Sequence, residues 1–185
     1  MKKFILIIVF VIIGILVGYF ITSDNFKTNN QDAAQNTSKK GSFKPDPSNA
    51  TFIFDDGTIT LSEGKIERTV APGSALVEEI AVMDKLAYGD INNDEKDDTA
   101  LLLARYGGGS GVFIYAAAFL SGPVNYKGSK VVFIGDRITP QSIFIKDGTV
   151  IINYLDRGPD EAFAAEPTIP MSKQFIYKNG EFQEK

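Results

Sequence analysis

Three short turn signals set the tightest limit on how this chain folds. Asp56-Gly57 separates Phe52-Ile53-Phe54 from Thr58-Ile59-Thr60-Leu61, Asp147-Gly148 interrupts Ile143–Asn153, and Asn179-Gly180 interrupts Phe175–Phe182. Each joins a residue that tolerates the left-handed region to a glycine, and a type I′ turn needs φ > 0 at both central positions. The flanking runs are rich in Ile, Val, Phe and Thr, which suit a pleated, half-buried surface. Repetition of this device predicts a mostly β domain of antiparallel hairpins, arranged as a sheet or a sandwich. Val112–Leu120 and Val131–Ile134 supply further strands. The stretch Ala75–Tyr88 reads two ways. Leu76, Ile80, Met83 and Ala87 fit a helical stripe, which would make the class α+β, whereas Val77, Ile80 and Val82 fit a strand. The strand, over 77–82, is the favoured reading.

The chain has 185 residues, enough for one domain once its first part is set aside. Lys2 and Lys3 precede an unbroken apolar run, Phe4–Ile21. At 1.5 Å per residue this run reaches about 27 Å, just enough for a hydrocarbon core of roughly 30 Å. The basic pair favours a cytoplasmic N-terminus. No small-residue cleavage pattern follows at Thr22-Ser23-Asp24-Asn25, so residues 1–22 read as an uncleaved signal anchor. Residues 23–46 are polar and aperiodic and read as a flexible tether. Residues 47–185 then form an extracytoplasmic β-rich domain, with the membrane contacted through residues 4–21.

Composition removes whole classes of chemistry. Cysteine and histidine are both absent. Disulfides, thiolate nucleophiles, zinc-thiolate sites, imidazole ligands and Ser-His-Asp catalysis are therefore excluded. Carboxylate, Lys, Tyr and hydroxyl groups remain. The whole chain has 19 basic and 23 acidic side chains. Residues 1–46 hold six basic and three acidic ones, which leaves 13 and 20, a net −7, for residues 47–185. A domain this acidic lacks the Lys/Arg surface that nucleic acid requires, so no nucleic-acid partner is expected.

The segment from Gly89 to Asp98 carries the most pointed chemistry. Counting Asp90 as position 1, oxygen-bearing side chains fall at positions 1, 3, 5 and 9: Asp90, Asn92, Asp94 and Asp98. Lys96 at position 7 offers its backbone carbonyl. Calcium takes six to eight oxygens, and alternate residues of a tight loop supply them. Two departures from an EF-hand loop matter: Leu101 stands at position 12 instead of the bidentate Glu, and Glu95 stands at position 6 instead of Gly. If position 6 needs φ > 0, a non-glycine residue there costs about 1 kcal/mol, so moderate-to-weak affinity is expected. The competing reading is an acidic turn whose side chains bond local backbone.

The residues that follow, Thr99–Ala104, look like a strand leaving the loop. In this setting the loop resembles the D-x-[DN]-x-[DN]-G-x-x-D calcium loops of FG-GAP and VCBS-type repeats, which lie between strands. One loop of this kind cannot build a propeller of several blades. More broadly, residues 51–185 resemble a family of bacterial membrane-anchored extracytoplasmic domains of no assigned activity. The segments that carry this likeness are Ala71–Ala75, Gly89–Asp94, Gly108–Phe113, Gly135–Ile138 and Tyr154–Pro159. The resemblance implies an extracytoplasmic location and the acidic loop, and it transfers no catalytic residue.

Other motifs are less specific. Gly107–Gly111 lacks the Gly-Lys-[Ser/Thr] of a phosphate loop and reads as a hairpin turn. The long loop opening at Asp156-Arg157 and running past Asp160 and Glu161 is a candidate ligand loop, through Arg157 and its carboxylates. Its alternative is a structural salt bridge and edge cover. The sequence as a whole predicts a non-catalytic interaction or envelope module with one structural Ca2+ and a protein or cell-wall partner. The alternative is a carboxylate-based, glycan-directed envelope enzyme that uses the 156–166 loop.

Overall fold

The computed structural model describes residues 43–162 and 164–185. The expected membrane helix over 4–21 and the tether before residue 43 lie outside the described residues. Among the described residues the chain forms twelve strands and no helix. They are β1 (Thr51–Phe54), β2 (Gly57–Thr60), β3 (Lys65–Thr69), β4 (Val77–Gly89), β5 (Asp98–Gly107), β6 (Val112–Leu120) and β7 (Lys127–Gly128), followed by β8 (Val132–Asp136), β9 (Thr139–Lys146), β10 (Thr149–Asp156), β11 (Ile169–Lys178) and β12 (Glu181–Glu184). The mostly β, antiparallel expectation holds.

The centre is a six-stranded sheet in the order β3-β4-β5-β6-β7, with β8 also paired to β6. A four-stranded meander, β12-β11-β10-β9, covers one face, and the β1-β2 hairpin covers the other. The reason lies in β5. Residues 100–104 are Ala-Leu-Leu-Leu-Ala, and all five are buried. Side chains alternate across a strand, so an unbroken apolar run needs cover on both faces. Ala100, Leu102 and Ala104 face the meander and pack with Ile114, Val150, Ile152 and Phe175. Leu101 and Leu103 face the hairpin and pack with Phe52, Phe54, Ile59 and Ile80. Opposite two of the three leucines of β5, β6 carries alanine: Leu101 pairs with Ala117 and Leu102 with Ala116, while Leu103 pairs with Tyr115. That complementarity lets the sheets lie close on both sides.

The ambiguous 75–88 stretch is a strand, longer than the expected 77–82. β4 reaches Gly89 through a bulge: Val82 pairs with Leu103 and Leu86 with Leu101, so β4 uses two more residues than β5. An even insertion keeps the faces in phase, and Val82 and Leu86 both pack towards the hairpin. No α+β arrangement exists among the described residues.

Two of the three turns are as expected. Asp147 and Gly148 have φ of 50° and 68°, and Asn179 and Gly180 have 55° and 84°. The first hairpin shifts by one residue. Phe54 pairs with Gly57, the connection is Asp55-Asp56, and only Gly57 takes a positive φ, at 133°. The shift leaves Asp56 at the tip, where two arginines hold its carboxylate. The hairpin is also tied to the central sheet: the Ile53 N–H donates to Ser129 O at 3.1 Å, and the Val131 N–H donates to Ile53 O at 2.9 Å. Gly128 permits this approach, because the Thr51 carbonyl oxygen lies where a Cβ would stand.

This packing predicts opposite sensitivities at paired positions. Leu102→Ala leaves a cavity and should cost about 2–5 kcal/mol. Ala117→Leu overpacks the hairpin side and should cost about 1–3 kcal/mol. Chemical denaturation of both variants checks this, and wild-type stability in Ala117→Leu would refute the close-packed interface.

Candidate functional site

The 90–98 loop joins β4 to β5, and its own side chains shape it. The Asp90 carboxylate accepts the Asp94 N–H at 3.2 Å and the Glu95 N–H at 2.9 Å. Asn92 Oδ1 also accepts the Asp94 N–H, at 3.1 Å, and Asp94 Oδ1 accepts the Lys96 N–H, at 3.1 Å. Successive side chains of this kind mimic backbone turns and curl the chain. Asn93 and Glu95 sit in the left-handed region, at φ of 62° and 65°. Position 6 therefore does need φ > 0, and Glu95 occupies it at a cost of about 1 kcal/mol.

Asp98 anchors the loop from beneath. It is fully buried at the first residue of β5. Its Oδ2 accepts the Ile91 N–H at 2.8 Å and the Asn92 N–H at 3.3 Å, and its Oδ1 accepts the Ser121 N–H at 2.7 Å. Burial pushes its pKa up, against the opposing pull of those amides. Ser121, just past β6, fastens the other side: its hydroxyl donates to Asp94 Oδ2 at 2.5 Å, and its carbonyl accepts Asn92 Nδ2 at 3.1 Å. The Ser121 hydroxyl holds Asp94 below the ordinary carboxylate value, with help from the Lys96 amide. Lys96 Nζ stands 3.8 Å from Asp94. Burial, then the charges of Asp98, Asp94 and Asp97, raises Tyr126, whose hydroxyl donates to the Asp97 carbonyl at 3.0 Å.

The structure thus brings Asp90, Asn92, Asp94, Lys96 and Asp98 into one loop, with Ser121 as a member that sequence reasoning missed. The donor set is all oxygen, as a hard cation requires. Among the described residues, however, no group of three or more carboxylates is placed to hold a metal ion. Residues 43–46, grouped with the tether on composition, run beside this end of the sheet. Pro45 is buried and its carbonyl accepts the Thr99 hydroxyl at 2.6 Å, while Phe43 meets Tyr126 at 5.9 Å between ring centroids.

The 156–166 loop is arranged differently. Arg157 Nε donates to Ala165 O at 2.6 Å and Arg157 Nη1 to Arg137 O at 3.0 Å. Glu161 Oε2 accepts the Gly158 N–H at 2.6 Å, and Asp156 Oδ1 accepts the Arg157 N–H at 2.8 Å. These groups fasten the loop to itself and to the end of β8. Asp160 is exposed.

A second polar cluster joins residues that lie far apart in the sequence. Arg105 donates to both Asp56 oxygens, at 3.0 and 2.7 Å, and to Glu78 at 2.7 Å. Arg68 donates to Glu78 at 2.8 Å and to Asp56 at 3.1 Å. Glu78 is almost fully buried. Two cations and two anions balance, and Arg105 also lies over the Phe54 ring at 5.5 Å. The cluster clamps the tip of the β1-β2 hairpin onto β3, β4 and β5. Its one legible trace is Glu78, in phase with Ile80 and Val82 on the buried side of β4.

Two consequences can be measured. Asp98→Asn keeps the shape but replaces an acceptor by a donor against backbone N–H groups, and should cost about 1–3 kcal/mol. Arg105→Met leaves Glu78 buried with Arg68 alone and should cost about 2–3 kcal/mol. The pH dependence has a definite sign. Asp56 is held below its ordinary 3.8, chiefly by its hydrogen bonds from Arg105. Its stabilisation is present above that value and is lost as pH falls through the folded pKa. Denaturation from about pH 6 to pH 3 should therefore show the gap between wild type and Asp56→Asn closing in acid. A gap that stays constant would exclude the ion pair as its source.

No family model matches this chain, and no curated protein or solved structure matches it.

Proposed function

We propose that this chain is a membrane-anchored extracytoplasmic module whose 90–98 loop takes up one calcium ion for structure, and that its role in the envelope is to bind a partner, not to catalyse. The observation that carries the calcium reading is Glu95 at φ 65°, at loop position 6. A side chain is held where glycine belongs, and the Asp90 carboxylate accepts the amide that this conformation presents. This backbone curl supports the reading, because an ion held by alternate oxygens of a tight loop needs it. Asp90, Asn92, Asp94 and the Lys96 carbonyl would hold the ion, and Asp98 would brace the loop while adding negative charge beneath it. A bound dication would relieve the repulsion between these carboxylates and fix β4 against β5. Membrane attachment is supported by the 4–21 apolar run and its flanking lysines.

The envelope-enzyme alternative draws less support. Arg157, Asp156 and Glu161 each meet a backbone partner within their own neighbourhood. Glycoside hydrolysis needs two carboxyl groups about 5–10 Å apart across a cleft. Asp160 and Glu161 are adjacent and exposed on a loop.

The test is thermal melting of the full chain in detergent, first in EDTA and then with calcium or magnesium at about 1 mM. A Kd near 0.1 mM adds about 1.4 kcal/mol, a rise of a few degrees. The rise should be specific to calcium and vanish in Asp90→Ala. No shift with either ion would reduce the loop to a self-bonded acidic turn. Retention of the chain in alkali-washed membranes checks the anchor separately.

A further inference from the structure

A cavity of about 430 Å3 opens between the 120–130 segment and the β11-β12 turn. Its apolar lining comes from Ile53, Leu120 and Tyr177, and Lys127, Lys130 and Glu181 supply its charged groups. This is the lower part of the size range of small-molecule sites. Two serines in the wall are already committed. The Ser121 hydroxyl donates to Asp94, and the Ser129 hydroxyl serves the Ala118 N–H and the Lys130 carbonyl. The uncommitted groups are others. Among the described residues Lys127 and Glu181 make no ion pair, and the Tyr177 hydroxyl makes no hydrogen bond. Lys130 meets Asp55 at 3.1 Å, and the Asp55 side chain is 91% exposed.

The charges in the lining of this cavity run against those of the domain. Residues 47–185 carry 20 acidic and 13 basic side chains. The lining sets two lysines against a single glutamate, and the Asp55 that pairs with Lys130 stands outside it, exposed to solvent. Lysine ammoniums act as point charges for carboxylate or phosphate. Glu181 is acceptor-only when ionised and needs a donor, whereas a tyrosine hydroxyl both donates and accepts. A hydroxyl meets both demands without adding charge. The apolar lining suits the C–H surface of a ring. The wall is also set in advance, because Ser121 is fastened through its N–H, hydroxyl and carbonyl to Asp98, Asp94 and Asn92. A wall that needs no ordering loses less on binding.

We infer that this cavity binds a small hydroxylated organic anion, one sugar ring in size, with its acid group on Lys127 and Lys130 and its hydroxyls on Tyr177 and Glu181. The cavity shares Ser121 with the 90–98 loop, but the inference does not rest on that loop holding calcium. A uronic acid and a sugar phosphate share this chemistry.

The experiment is calorimetric titration of the full chain in detergent with D-glucuronate, D-glucose 6-phosphate, D-glucose and D-glucosamine. At least one anion should bind with a millimolar or tighter Kd, D-glucose about tenfold more weakly, and D-glucosamine not at all, as expected for a site selected by charge. Preference for the uronate or for the phosphate identifies the acid group, and either supports the site. Lys127→Met should weaken anion binding about tenfold, and Tyr177→Phe several-fold, at unchanged melting temperature. Lys127 is exposed, so its loss does not threaten the fold. Lys130→Met provides a second, independent variant. Equal binding of glucose and glucuronate, absence of binding by either anion at about 10 mM, or wild-type affinity in both lysine variants would overturn the assignment.

Discussion

Burial of β5 on both faces is the constraint on which the rest of the structure depends. Leu101 and Leu103 point one way, and Leu102 points the other between Ala100 and Ala104. Each fully buried leucine contributes about 1.5–3 kcal/mol, and leaving either face open would forfeit that share. One sheet cannot cover both sides of its own central strand. The chain therefore sends its first hairpin to one face and its last four strands to the other. The alanines of β6 are the counterpart of this demand, since two facing rows of leucine would hold the layers apart.

The polar groups follow from the same strand. Asp98 stands at the start of β5 and Arg105 near its end, and each binds segments that the apolar layers alone leave loose. Asp98 gathers the 90–98 loop and the chain after β6 onto one carboxylate. Arg105 gathers the hairpin tip, with β4 and β3 through Glu78 and Arg68. Both are expensive groups to bury, and both are satisfied by several donors or acceptors in fixed positions. Such groups specify one arrangement more sharply than apolar contact does, because a shifted register would leave them unpaired. The same fastening gives the sheet a stiff end, where the acidic loop and the cavity walled by Ser121 lie side by side.

Much of the fold was legible because its signals are local. Asp147-Gly148 and Asn179-Gly180 need only their own backbone to form type I′ turns. The exception is instructive. At Asp55-Asp56-Gly57 the turn is shifted by one residue, and Arg68 and Arg105, distant in sequence, hold the Asp56 carboxylate at its tip. The 75–88 stretch was ambiguous because Ile80 fits both periods, and its length was underestimated because a two-residue bulge is invisible to any simple alternation. The acidic loop was legible as a pattern of Asp and Asn at alternate positions. Ser121 was not, since nothing near it in sequence marks it as the residue that closes that loop.

The sequence by itself determined the chemistry available to this protein and the class of its fold. The lack of cysteine and histidine, the acid excess, the alternating oxygens of 90–98 and the hairpin turns are properties of neighbouring residues. Only the tertiary structure decided which groups meet. Asp56, Arg68, Glu78 and Arg105 are separated by up to 49 residues, and Lys127, Lys130, Tyr177 and Glu181 come from the middle and the C-terminal end of the domain. Strand register brings them together, and register is set by the burial of β5 on two faces. That is a property of the whole packed chain, which no window of sequence contains.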